Sequence, residues 1–109
     1  MQRFLFRFGY CTPVQWEANR IHGWDDECSS AFFVHAENAA EALSWGCEVA
    51  ERYVHNQFET AGWAVIPSWK EANFAFWIDE TPTVEFSPES LGKLPKVMVN
   101  QIPDFQDWL

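Results

Sequence analysis

The sequence predicts an α+β domain of two layers, a mostly antiparallel sheet of four to five strands with one long helix packed on one face. Three observations carry that prediction. Residues 2–10 alternate with period two, placing Phe4, Phe6, Phe8 and Tyr10 on one face and Arg3, Leu5, Arg7 and Gly9 on the other, as in a strand buried on one side. Residues 39–57 gather Ala39, Ala42, Leu43, Gly46, Val49, Ala50, Tyr53 and Val54 into a single stripe at about 100° per residue. The remainder is a series of short apolar runs punctuated by Pro and Gly, the texture of a meander. At 109 residues the chain has the length of one domain, 1–109.

Each element has its own local signals. After the strand ending at Tyr10, Thr12-Pro13-Val14-Gln15 reads as a helix start, with Thr12 as N-cap, Pro13 at the first helical position and Gln15 closing a capping box. Val14, Ala18 and Ile21 share a face and Gly23 is a fitting terminator. A short helix over 13–22 and an irregular loop both satisfy this pattern. Residues 24–30 read as an exposed loop, and Ala31–Ala36 as a strand buried on both faces. Asn38 and Glu41 give the N-x-x-E capping signal that opens the long helix. Gly46 lies inside its apolar stripe, where glycine costs about 1 kcal/mol against alanine; close approach to the sheet is the compensation expected. Trp63–Ile66 reads as a strand, Asn73–Asp79 as its hairpin partner and Thr83–Ser87 as a third member. Val97–Val99 fits an edge strand among Pro88, Pro95 and Pro103, and 103–109 a helical turn that packs Phe105 and Trp108 onto the body.

Composition excludes several function classes. Hydrophobic residues at 48% and charged residues at 21% are incompatible with a disordered chain. A formal charge of −9 argues against binding a phosphate backbone, which takes clustered Lys and Arg. No apolar run approaches the ~20 residues of a membrane span, and Arg3 and Arg7 interrupt what would be the apolar stretch of a signal peptide, which argues against export. Cys11, Cys28 and Cys47 are odd in number and widely spaced, without a CxxC pair; reduced thiols and a cytoplasmic location follow.

The chemistry-bearing residues form no catalytic or cofactor motif. Cys47 and His55 lie two helical turns apart with directions diverging by about 80°, so a composite metal site with His35 is disfavoured. Cys28 has His22 and His35 as its nearest histidines in sequence, but Asp25, Asp26 and Glu27 precede it, and adjacent negative charge suppresses the thiolate. The same acidic triplet lacks the ligand spacing of a calcium loop. The five glycines are isolated, so no phosphate-binding loop exists. No cofactor is implied.

The strongest signal is charge. Residues 25–59 hold eight acids and one base, Arg52, and so seven of the nine net negative charges. Such a run is commonly a plain solvated face. The seven tryptophans alter that balance, because a domain of this size hides only about two-thirds of its extended surface. The sequence therefore points to an acidic, Trp-bordered docking surface for a basic protein, of inhibitor or immunity type, built from Glu41, Trp45, Glu48, Glu51, Trp24, Asp25 and Asp26. Two alternatives remain open: a Trp- and Phe-lined pocket between sheet and helix serving a small molecule or an enzyme, and self-association through spare aromatic surface.

Overall fold

A computed structural model describes residues 2–66, 68, 75–79 and 94–108. The chain runs β1 (Gln2–Tyr10), α1 (Pro13–His22), β2 (Cys28–Ala36), α2 (Ala39–Thr60), β3 (Ala75–Asp79), β4 (Lys96–Met98) and a 3-10 turn at Phe105–Trp108. The sheet order is β3-β1-β2-β4. β1 pairs antiparallel with β2 from Gln2↔Ala36 to Tyr10↔Cys28, and antiparallel with β3 from Leu5↔Asp79 to Gly9↔Ala75. β4 joins β2 in parallel, with Val34 opposite Val97.

This architecture corrects the expected fold class. The sheet is mixed, not mostly antiparallel, and two helices accompany it, not one long helix. The parallel edge is anchored at both ends: Phe33 N–H donates to the Pro95 carbonyl at 2.8 Å and Val99 N–H to the His35 carbonyl at 3.0 Å. The hairpin expected between 63–66 and 73–79 does not form. Residues 61–62 make the turn after α2, 63–66 are irregular with a bend at Ala64 and an exposed Val65, and β3 pairs with β1 instead. The strand expected over 83–87 lies outside the described residues. β2 begins at Cys28, three residues before the expected Ala31, because Cys28, Ser29 and Ser30 are the ladder partners of Tyr10, Gly9 and Phe8.

The core sits between the sheet and α2. Phe4, Phe6, Phe8 and Tyr10 of β1 and Phe32, Val34 and Ala36 of β2 form one buried cluster with Ala42, Val49, Ala50, Val54 and Phe58 of α2. Gly46 explains the tightness of that contact: a Cβ built on it would lie 2.6 Å from Cε2 and 2.7 Å from Cγ of Phe6, closer than any real side chain tolerates. The 3-10 turn closes one end, with the Trp108 ring 5.1 Å from Phe32 and 5.4 Å from Tyr53, and Phe105 5.7 Å from Tyr53. The second face of the sheet is also covered. Leu5 and Phe33 are fully buried there, with Ala31 beside them and Leu94 packed against them. The reading of β1 as buried on one side only is thereby corrected.

Candidate functional site

The pattern over residues 12–23 resolves as a helix. Gln15 N–H donates to Thr12 Oγ1 at 3.2 Å while Thr12 N–H donates to the Gln15 side-chain oxygen at 3.0 Å, completing the capping box. At the other end Gly23 adopts φ +69°, a left-handed conformation that favours glycine, and its N–H reaches the Asn19 carbonyl at 2.8 Å. α1 is therefore well terminated, and yet none of its ten residues is buried. Its apolar stripe faces outward, with Val14 80% and Ile21 62% exposed.

Asn19 fastens the following loop to the helix. Its Nδ2 donates to the Asp26 carbonyl at 2.9 Å, and Asp26 N–H donates to its Oδ1 at 3.0 Å. The Cys11 thiol donates to the same carbonyl at 3.2 Å. This clasp holds Trp24 and Asp25 in place at the end of α1. Trp24 is 56% exposed and stacks on the His22 ring at 4.3 Å between centroids. Among the described residues, cavities lie on either side of the helix. A groove of about 590 Å³ runs between α1 and the end of α2, lined by Val14, Glu17, Ala18, Ile21 and, across from them, Ala61 and Trp63. A smaller one of about 360 Å³ is lined by Cys11, Trp16, Asn19, Arg20, Trp24 and Asp25. Trp63 is set edge-on against Phe58 at 4.9 Å, which fixes the far wall of the groove.

The other acidic candidates occupy α2. Glu41 accepts from Glu37 N–H at 3.1 Å, and its own N–H donates to the Asn38 side chain at 2.9 Å. That carboxylate is thus part of the helix cap. Trp45 is half-buried against the core, and its indole N–H donates to the Gln101 carbonyl at 3.0 Å. Glu48 and Glu51 are half-buried on the same helix. The seven sequence-named residues therefore fall into two groups, Trp24, Asp25 and Asp26 beside α1, and Glu41, Trp45, Glu48 and Glu51 on α2. Asn19 and Trp16 are not singled out by the sequence, and Val14 and Ile21 are read there only as sharing a helix face with Ala18; no spacing rule marks Asn19.

The Cys28–His35 pair and the Cys47–His55 arrangement weighed from the sequence do not assemble. His35 sits seven positions from Cys28 along β2, about 23 Å at ~3.3 Å per residue. Cys47 is buried in the core, whereas His55 is exposed with Nδ1 3.3 Å from Glu59. Burial pushes the Cys11 thiol above its ordinary pKa, Glu27 and Asp25 add to that, and the Asn19 hydrogen bond only partly offsets it, so the thiol form is favoured over the thiolate. Burial likewise raises the Tyr10 phenol well above its usual range, reinforced by the Tyr53 hydroxyl and opposed by Gln57. Among the described residues no helix is long and apolar enough to cross a membrane.

No protein-family model, curated protein or solved structure matches this chain.

Proposed function

We propose that the chain is a non-catalytic binding module for a basic protein, docking it on α1 and the loop that follows. One observation carries the reading: a helix with two complete caps and an apolar stripe buries none of its residues, whereas such a stripe ordinarily faces a core. Val14, Ala18 and Ile21 follow the i, i+4, i+7 spacing of helix-in-groove recognition, and the groove to Ala61 and Trp63 runs alongside. The rim is acidic. Residues 13–27 carry Glu17, Asp25, Asp26 and Glu27 against Arg20, which is ion-paired with Glu17.

Charge separates a foreign basic partner from a second copy of the chain. A symmetric dimer through this surface would bring two identical acidic rims together, each on a chain of charge −9, and like-charge juxtaposition opposes such a complex. A basic surface gains from the same field. The acidic residues of α2 lie outside the proposed contact and contribute through the long-range field, which accelerates encounter.

The test is capture from native lysate by the wild type and by the Val14→Ser/Ile21→Ser double variant, followed by association kinetics with the captured protein. The expected result is a basic protein retained by the wild type and lost by the double variant. Glu41→Gln/Glu48→Gln/Glu51→Gln should slow association at low salt, with the difference vanishing at high salt. Equal retention by the double variant, or sedimentation of the pure protein as a dimer that the variant dissolves, would overturn the reading.

A further inference from the structure

The smaller cavity beside α1 has the composition of a cation receptor. Its lining places two indoles, Trp16 and Trp24, with the Asp25 carboxylate around about 360 Å³, at the small end of the range ligand pockets occupy (roughly 300–1,000 Å³). We propose that this pocket receives a cationic side chain of the basic partner, an alkyl stem ending in ammonium or guanidinium. The proposal rests on the docking reading and names its specificity site.

Indole faces attract cations through the ring quadrupole, and Trp is the strongest of the aromatic residues in this respect. A long basic side chain also lays its methylenes along apolar walls while its head stays with polar partners. The surrounding charges set the sign. Arg20 lines the pocket, but its guanidinium is engaged by Glu17 on the same helix. Asp25 is left at the pocket, with exposed Asp26 and Glu27 next in the loop. The local field is therefore negative, and the Cys11 thiol registers it: after burial, Glu27 and Asp25 are the charges that push its pKa up. His22 stacks on Trp24 and lines the larger groove.

The pocket is also preorganised. Asp26 is bound through its backbone to Asn19 on both sides and to Cys11, so the two-residue step from the Gly23 cap to Asp25 has little freedom. A receptor already in place adds little ordering cost on binding.

Cys11 supplies a reporter inside the pocket, and Cys28, which does not line it, supplies an internal control. Iodoacetamide labelling of the two thiols is followed by peptide mass spectrometry across pH, so that the rate constant of the thiolate, which reports access and is the rate compared, is separated from the thiolate fraction, which a bound cation raises. The probes are Nα-acetyl-lysine methylamide, Nα-acetyl-arginine methylamide and their neutral norleucine analogue, at equal millimolar concentration and equal ionic strength. The expected result is a severalfold slowing of Cys11 labelling by a cationic probe, unchanged Cys28 labelling and no effect of norleucine. Trp24→Ala and Asp25→Asn should each abolish the slowing. Chemical shifts of the Trp16 and Trp24 indole N–H groups give a second readout that does not need the thiol to react. Equal protection by norleucine, equal slowing of both thiols, slowing that survives in both variants, or no response to either cation by label and by shift would overturn the proposal. Because the probes carry no apolar anchor, their effect does not depend on Val14 or Ile21. Failure here thus leaves lysate capture standing, and failure of capture leaves this result readable.

Discussion

The two helices begin alike and end differently. α1 and α2 each open on a polar N-cap that accepts from the N–H three residues on, Thr12 from Gln15 and Asn38 from Glu41. Each carries an apolar stripe. α2 buries eight residues, among them Val49, Val54 and Phe58, against the sheet, and α1 buries none. The lesson is that local signals decide whether a segment is helical, while burial depends on what the rest of the chain offers to that face. α2 has the Phe-rich face of β1 and β2. α1 lines a groove, and Val14 and Ile21 of its stripe are exposed.

The sharpest way to break this comparison is to truncate one residue from each stripe. Phe58→Ala should cost about 3–5 kcal/mol, because a fully buried ring leaves a cavity. Ile21→Ser should change unfolding free energy by about 0.5 kcal/mol or less, since the side chain is already 62% exposed. Urea denaturation of both variants checks this, and a loss at Ile21 comparable to that at Phe58 would mean that α1 is packed. Next in size is Gly46→Leu, which forces a side chain into the space of the Phe6 ring and should cost roughly 1–3 kcal/mol or more. Ser44→Leu, on the exposed side of the same helix, should leave the melting temperature nearly unchanged. Equal melting temperatures for these two variants would rotate α2 away from the sheet contact described.

What the sequence disclosed and what it withheld divide along the same line. The Thr12–Gln15 box, the Asn38–Glu41 cap and the alternation of Phe4, Phe6 and Phe8 are local patterns, and all three are seen in the structure. The edge strand read at Val97–Val99 is seen as β4, one residue earlier, but its parallel pairing was hidden because that depends on β2, 63 positions earlier in the chain. Trp63–Ile66 has strand-like composition, but a short apolar run carries no pairing information, and the edge of β1 is taken by β3. Leu5 stands among Arg3, Arg7 and Gly9 and so reads as a solvent-facing position; Phe33 and Leu94, both distant in sequence, bury it. The candidate site shows the same division. Trp24, Asp25 and Asp26 were legible from exposure-prone composition. Trp45 resembled them, flanked as it is by acids, until a carbonyl 56 residues away engaged its indole. Val14 and Ile21 were visible as a stripe, but periodicity reports which way residues face and not whether anything is there to meet them.

The smallest effect separates the helices most finely. Replacing an N-cap Thr or Asn by Ala removes one acceptor and costs about 0.5–2 kcal/mol of helix stability. For Asn38→Ala that loss enters the global unfolding equilibrium, because α2 cannot leave the sheet without exposing the core. A loss of about 1 kcal/mol corresponds to a drop of roughly 4–8 °C in Tm for a domain near this size. For Thr12→Ala the same local loss has another outlet. α1 contributes no fully buried residue and meets the core cluster through the half-buried Trp16, so it can open at the cost of that contact while β1, β2 and α2 stay packed, and sub-global opening is where such a cost is spent. The Tm should therefore hold within about 1–2 °C, on the same scale, while amide exchange across α1 accelerates about fivefold or more (RT ≈ 0.6 kcal/mol at 25 °C, so ~1 kcal/mol is roughly that factor). Hydrogen exchange read alongside thermal melting distinguishes the two cases. Equal Tm losses in the two variants would show α1 to be part of the cooperative core, and its open stripe would then be a structural surface and not a docking site.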